Sequence, residues 1–396
     1  MASNITLSAS VRQNLLSLQS TAELLATTQS RLATGKKVNT ALDNPTNFFT
    51  AASLDNRAND INNLLDGIGN GVQVLQAANT GITSLQKLVD TAKSIAQQVL
   101  QAPVGYSTKN SVTSGANAGG TAANLLGATL ATGDVLTIAA TGGGTASSIT
   151  FGAGASQVDT LTELNAALAA NNLQASVNDT TGAITITTTN DAASADVGAL
   201  GGTATGAGKA FLAGSVTTVA KVADATSQTT RANLVAQYNN IIAQITTTAQ
   251  DASFNGTNLL NGDNLKLTFN ETGKSTLNIS GVTFNATGLG LASLVGGTDF
   301  LDNGSANKVI TSLGSASSAL RSQASALGSN LSIVQIRQDF SKNLINVLQT
   351  GSSNLTLADT NQEAANSQAL STRQSIAVSA LALANQSQQS VLQLLR

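Results

Sequence analysis

The first segment of the chain, from about Asn4 to Thr34, has apolar or small side chains spaced alternately four and three residues apart. The positions are Val11, Leu15, Leu18, Ala22, Leu25 and Leu32, with Gln29 in the remaining slot. This spacing predicts one long helix with a coiled-coil seam. Leu7, Leu16 and Leu24 lie off that seam. One partner helix therefore cannot cover all of its apolar surface.

A second long helical segment is predicted from about Pro45 to Leu100. Gly35 is placed to stop the first helix, and a proline is favoured at the start of the next. Apolar residues then recur at every seventh position without a break: Leu54, Ile61, Ile68, Leu75, Ile82, Val89 and Ala96.

Two more helical segments lie towards the other end of the chain. From about Asn303 to Gln349 a seven-residue repeat comprises Ala306, Leu313, Leu320, Leu327, Val334 and Leu348, with Ser341 in the open slot. A break is predicted at Gly351-Ser-Ser-Asn-Leu. The last helix, from about Ala358 to Leu395, carries the stripe Ala377, Leu381, Ala384, Val391 and Leu395. We expect the last helix to pair with the first, and the second helix with the one from Asn303, so that the chain is nested.

The middle of the chain differs in charge. Between Lys109 and Lys209 there is no Lys or Arg but there are six acids, which gives −6, whereas the rest carries 19 − 15 = +4. This shift marks a separate domain. Segments beginning at Val135, Ser148 and Ala183 have the composition of strands, and Thr160 to Leu173 reads as one helix. These elements predict a small α+β unit.

Beyond this unit, a helix is predicted from about Ser227 to Ala252, followed by a β-hairpin turning at Gly273. The predicted fold class is therefore mainly α, with long antiparallel coiled-coil helices from both termini, a β-hairpin and an inserted outer α+β domain. The domain boundaries that we expect are 1–44 with 352–396 for the terminal helices, 45–109 with 221–351 for a helical shell with the hairpin, and 110–220 for the insert.

Composition excludes most chemistry. The 396 residues include no Cys, His or Trp, and only 10% are charged. The usual ligands of zinc, copper and haem and a histidine general base are therefore missing. The net charge of −2 gives no basic field for nucleic acid. We predict no enzyme activity, no catalytic, cofactor-binding or metal-binding residues and no cofactor.

The same sequence gives no sign of membrane insertion. No apolar run reaches the ~18 residues that a membrane span needs. The N-terminus lacks a basic segment followed by an apolar core, so we expect no cleavable secretory signal.

Two terminal motifs resemble those of bacterial flagellins. Gln29-Ser-Arg-Leu-Ala-Thr-Gly-Lys-Lys-Val-Asn-Thr-Ala-Leu-Asp-Asn resembles the family's N-terminal signature. Ala384-Asn-Gln-Ser-Gln-Gln-Ser-Val-Leu-Gln-Leu-Leu-Arg396 is similar to its C-terminus, and Phe254-Asn-Gly-Thr-Asn-Leu-Leu to the turn before its hairpin. The resemblance covers roughly 1–101 and 226–396, and the insert is not part of it.

The resemblance implies a structural subunit that self-assembles into the extracellular flagellar filament used for motility. It also implies type III export, a cap protein, a hook–filament junction protein and an export chaperone as partners. The predicted subunit interface comprises Val11, Leu15, Leu18, Leu25, Leu32, Ala377, Leu381, Ala384, Val391 and Leu395. Two alternatives stay open: a flagellin-like junction protein between hook and filament, and a surface adhesin acting through the insert.

Overall fold

The chain folds into six α-helices and eleven short β-strands over residues 9–394, the part that the computed structural model describes. The helices are α1 Ala9–Thr34, α2 Pro45–Gln101, α3 Leu161–Ala169, α4 Ala225–Asp251, α5 Asn303–Thr356 and α6 Thr360–Leu394. Long helices from both ends, a hairpin and an inserted α+β part confirm the predicted fold class. The predicted start of the first helix at Asn4 lies outside the described residues.

Local sequence signals set where the first two helices end and begin. Gly35 follows α1 with φ +67°, a left-handed conformation that glycine adopts without strain. The Asn44 side chain accepts a hydrogen bond of 3.0 Å from the Asn47 amide, so Asn44 caps α2. Pro45 takes the first helical position, where a backbone N–H would have no partner within the helix, so proline breaks no hydrogen bond there.

The predicted break at Gly351 is wrong, since α5 continues through it to Thr356. A glycine inside a helix costs only about 1 kcal/mol. A Cβ at Gly351 would lie 3.5 Å from the Leu54 side chain, so this segment still packs against α2. The helix ends three residues before Asp359, whose carboxylate accepts from the Asn361 and Gln362 amides and caps α6. Packing thus outweighs the local helix-breaking signal.

Most of the strands lie in the insert or in the two-stranded ribbon at its base. They are β1 Tyr106–Thr108, β2 Ser111–Thr113, β3 Val135–Ile138, β4 Ser147–Thr150, β5 Leu173–Asn178, β6 Ala183–Thr188, β7 Leu200–Gly201, β8 Thr217–Val219 and β9 Val222–Ala223. One antiparallel sheet has the order β5-β6-β2-β8 and another β4-β3-β7, while β1 pairs with β9. The helix predicted to reach Leu173 ends at Ala169, because Leu173 begins β5.

The chain divides into two compact units. The terminal unit comprises Lys266–Leu277 and the described parts of Met1–Gly71 and Ile333–Arg396. The middle unit comprises Val72–Leu265 and Asn278–Ser332 and contains the insert. The division falls inside α2 and α5, so each of these helices contributes to both units.

In the terminal unit, α2 and α5 share an apolar core. Ala58 and Ile61 of α2 are buried with Ile345 and Leu348 of α5.

A β-hairpin of β10 Leu265–Thr268 and β11 Thr276–Ile279 turns at Gly273. A Cβ added to Gly71 of α2 would lie 2.4 Å from a terminal methyl of Leu267, so a side chain there would have to displace this leucine. The seven-residue repeats predicted for α2 and α5 are buried, apart from the partly buried Leu54.

The insert has its own apolar core in the middle unit. Sixteen buried residues, including Leu136, Ile149, Phe151, Leu164 and Ile184, form one cluster. The N-terminus of α3 is held by a capping box, in which Thr160 and Glu163 exchange side-chain and backbone hydrogen bonds.

The turn before β6 depends on one glycine. Gly182 has φ +69°, and a Cβ added to it would lie 1.8 Å from the Asn117 carbonyl oxygen. We expect Gly182→Ala to destabilise the insert by at least about 2 kcal/mol, because the left-handed conformation and the backbone clash both disfavour it. Gly208→Ala is the matched control, since Gly208 has φ +76° with nothing within 4 Å. Calorimetry would show a smaller loss for the control, and equal losses would contradict this account of Gly182.

A buried arginine organises the part of the middle unit where α2 ends. Arg231 of α4 is fully buried. Its guanidinium donates to the carbonyl oxygens of Val99, Ala102 and Pro103 at 3.0, 2.8 and 2.6 Å. It also donates to the Phe300 carbonyl at 2.7 Å and to Asn303 Oδ1 at 3.0 Å. Burial lowers the pKa of Arg231, while nearby Asp302 favours the charged form. One side chain thus caps the C-terminus of α2 and anchors the start of α5.

Candidate assembly surface

The helices from the two ends of the chain, α1 and α6, pack against each other. They are antiparallel, because Arg31 near the end of α1 forms an ion pair of 3.4 Å with Glu363 near the start of α6. The turns that follow α1 and precede α6 are also joined. The Lys37 amide donates to the Thr356 carbonyl at 2.7 Å and the Ala358 amide to the Gly35 carbonyl at 3.0 Å. The pairing of the first and last helices agrees with the sequence prediction.

The described interface residues of α1 fall into two groups. Val11 is buried, and Leu18 and Leu25 are partly buried. Leu15 and Leu32 are exposed, by 36% and 41%. On α6, three residues of the predicted stripe are partly buried: Ala377, Leu381 and Ala384. The side chain of Val391 and the whole of Leu395 lie outside what the structure describes.

The positions between Val11, Leu18 and Leu25 explain the exposed leucines. Thr21 is 1% exposed and Thr28 is buried, whereas Ala22 is only partly buried and Gln29 is exposed. The Thr21 hydroxyl donates to the Ser17 carbonyl at 2.7 Å, so its burial leaves no unpaired donor. The sequence pattern instead predicts Ala22 and Gln29 at these inner positions, in each case the next residue along the chain. The one-residue difference leaves leucines on the outer side of the pair.

The terminal unit carries a large exposed apolar surface. Among the described residues, nineteen large hydrophobic side chains are exposed, and fourteen of them belong to this unit. On α1, α5 and α6 they are Leu15, Leu16, Leu24, Leu32, Ile333, Ile336, Phe340, Val347, Ile376, Val378 and Leu383. A concentration of exposed apolar side chains on a few helices is typical of a surface of association. The arrangement can therefore bind other apolar helices.

Within residues 9–394, no three His, Cys, Asp or Glu side chains are grouped closely enough to hold a metal ion. Over that range no helix combines the length and hydropathy of a membrane span.

Asp43 fixes the turn between α1 and α2. Its carboxylate accepts hydrogen bonds from the amides of Asn39 and Thr40, at 2.9 and 2.8 Å, and from the Thr40 hydroxyl. The amides of Thr40 and Asn39 lower the pKa of Asp43 below its ordinary 3.8. Since the folded pKa is depressed, the contribution to stability is present above 3.8 and is lost as pH falls through the folded value.

We therefore expect Asp43 to titrate below 3.8 in a carbon-13 NMR titration of its carboxyl carbon. Thr40→Val, which removes only the hydroxyl donor, should raise that midpoint. A midpoint at or above 3.8 in the unchanged chain would contradict the assigned hydrogen bonds.

Comparison with known proteins identifies both ends of the chain. The model of the bacterial flagellin N-terminal helical region matches residues 5–115, and that of the bacterial flagellin C-terminal helical region matches residues 310–395. These regions include most of α1, α2, α5 and α6. The insert from residue 116 onwards lies outside both.

Curated relatives agree with the family models. Flagellin FljM of Caulobacter vibrioides is 32% identical over 165 residues, which are 41% of this chain and 59% of that protein. Flagellin of Brucella melitensis is 31% identical over 173 residues, 40% of this chain and 60% of that protein. The chain thus spans about three fifths of the length of the relatives that it matches. With the matched regions at both ends in the order that the fold shows, the chain belongs to the bacterial flagellin family.

Proposed function

We propose that this chain is a structural subunit that self-assembles into the extracellular filament of the bacterial flagellum and serves motility. The observation that carries the proposal is the exposed apolar surface of the terminal unit, which lies on the helices that the flagellin models match. Contacts between different surfaces of identical copies generate an open helical array when the rotation does not close. The apolar helix faces that stay exposed in the monomer therefore supply the association energy.

The interface that we propose refines the predicted set. Val11, Leu18 and Leu25 with Ala377, Leu381 and Ala384 line the seam between α1 and α6. Leu15 and Leu32, together with Leu16 and Leu24, face outward and contact neighbouring copies. Val391 and Leu395 remain proposed members of the interface.

Several further properties follow from family membership and are part of the proposal. The chain is secreted by the flagellar type III route and has no enzymatic role. Its partners besides its own copies are a cap protein, a hook–filament junction protein and an export chaperone. Residues 110–220 form a surface domain outside the assembly core, with 1–44 and 352–396 as inner helices and 45–109 and 221–351 as the surrounding shell.

Deleting the insert tests this division of roles. Strands β1 and β9 pair at its base, with Tyr106 opposite Ala223, so the two chain segments enter and leave side by side. Replacing residues 110–220 with an Asn-Gly turn should close that ribbon as a hairpin. We expect the shortened chain to polymerise on filament seeds as the full chain does, as judged by electron microscopy. Loss of filaments with an intact helical circular dichroism spectrum would place the assembly surface in the insert and refute the proposal.

A further inference from the structure

Two turns of the terminal unit lie side by side, 35–44 between α1 and α2 and 357–359 between α5 and α6. The backbone hydrogen bonds described above and an antiparallel bridge between Lys36 and Leu357 hold them together. We call these two turns together the tip. It exposes Leu42 by 95% and Leu357 by 50%. A leucine that projects into water from a fixed turn is a ready contact for a partner.

The tip also carries two adjacent cations. Lys36 and Lys37 are both exposed. Neither side chain belongs to any of the ion pairs found among the described residues. Their ammonium groups can therefore meet carboxylates of another molecule without breaking a bond in this one.

A surface of opposite charge lies on α2 in the same unit. Asp55, Asn59, Asn62 and Asp66 are exposed and recur at steps of four, three and four residues, which places them on one side of the helix. Neither aspartate is in an ion pair among the described residues, and the nearby Arg57 is paired with Glu271 at 2.8 Å. We call these four residues the Asp/Asn stripe. It offers hydrogen-bond acceptors along three helical turns.

We propose that the tip of one copy docks on the Asp/Asn stripe of a second copy, with Lys36 and Lys37 facing Asp55 and Asp66 and Leu42 at the centre. The inference rests on the proposed function and names one of its contacts. Charge complementarity favours a second copy as the occupant, because the cations and the carboxylates occur on different surfaces of the same chain. Such a contact is heterologous and can continue indefinitely.

Charge reversal gives the test a distinctive readout. Exposed pairs contribute little when matched, but like charges brought face to face cost several kcal/mol. We expect Lys36→Glu/Lys37→Glu to raise the critical concentration for seeded polymerisation by about 100-fold at low salt. Adding Asp55→Lys/Asp66→Lys to the same chain restores the complementarity, so this fourfold variant should return to within about threefold of the unchanged protein.

Salt separates charge repulsion from a general defect. Screening weakens attraction and repulsion alike. Elongation of the unchanged protein should therefore slow as salt rises, while that of Lys36→Glu/Lys37→Glu should accelerate. Thr162→Glu/Ala166→Glu, which adds two carboxylates on the exposed side of α3 in the insert, is the matched control and should polymerise normally. Circular dichroism of each monomer checks folding, and Lys36→Gln/Lys37→Gln is a milder variant should the reversal perturb the turn.

The outcomes distinguish this contact from the proposed function. If the unchanged chain forms filaments and Lys36→Glu/Lys37→Glu forms them equally well, the contact is wrong and filament assembly stands. A fourfold variant as defective as Lys36→Glu/Lys37→Glu also overturns the contact. If the unchanged chain forms no filaments on seeds, both the function and the contact fall.

Discussion

The Leu16→Glu/Leu24→Glu variant is expected to remain a folded monomer and to lose polymerisation. Leu16 and Leu24 are 66% and 53% exposed on the outer side of α1, so the monomer does not depend on burying them. If neighbouring copies cover both, losing their burial costs about 3–6 kcal/mol, a factor of ~10²–10⁴ in the critical concentration. Placing two carboxylates in an apolar contact adds to that cost.

The matched control is Val219→Glu, an exposed apolar residue of the insert, at 44%. It should polymerise close to normally, as measured by pelleting and electron microscopy over a range of protein concentrations. Normal filaments from Leu16→Glu/Leu24→Glu would show that these leucines stay exposed to water in the assembly and would remove them from the interface.

The second large effect is expected at Arg231. Replacing it with methionine leaves the carbonyl oxygens of Val99, Ala102, Pro103 and Phe300 without the donor that now satisfies them. Removing one partner of a buried charged network typically costs about 3–5 kcal/mol. Arg231→Lys keeps the charge but has three donors on one nitrogen in place of a planar fork, so it should recover only part of the loss.

Arg321→Ala serves as the control. Arg321 is exposed on α5 and donates only to the Ser317 carbonyl of its own helix, at 3.3 Å. Its removal should change stability by no more than about 0.5 kcal/mol. Calorimetry should show that the unfolding temperature of the middle unit falls strongly in Arg231→Met and scarcely in Arg321→Ala. Equal transitions would mean that water replaces the guanidinium at little cost.

Arg231 also shows what the sequence could and could not reveal. Together with Val235, Tyr238, Ile242, Ile245 and Ala249 it keeps the four–three spacing of the buried face of α4. The spacing therefore predicts an arginine on the buried face of the helix, where a charged side chain is rarely found unless it is paired. The carbonyl oxygens it binds lie over a hundred residues earlier and about seventy later in the chain. Only the tertiary fold brings them together.

The long helices were predictable because their repeats persist over many turns. Every position of the α5 repeat, including Ser341, is buried. Short strands were missed where a pairing rather than a composition defines them. Thr217–Val219, for example, is exposed along its whole length, and it is a strand because it pairs with Ser111–Thr113. The side of α1 that faces α6 depends on whether Thr21 or Ala22 takes the inner position. Hydrophobicity alone favours Ala22, but Thr21 is the buried residue.

Seeded polymerisation of the purified full chain, beside a copy lacking residues 1–34, tests the central claim most directly. We predict long filaments in the electron microscope from the full chain and none from the shortened copy, because α1 carries the outward-facing leucines. A full chain that stays monomeric on seeds would contradict self-assembly, and filaments from both proteins would contradict the role given to the terminal helices.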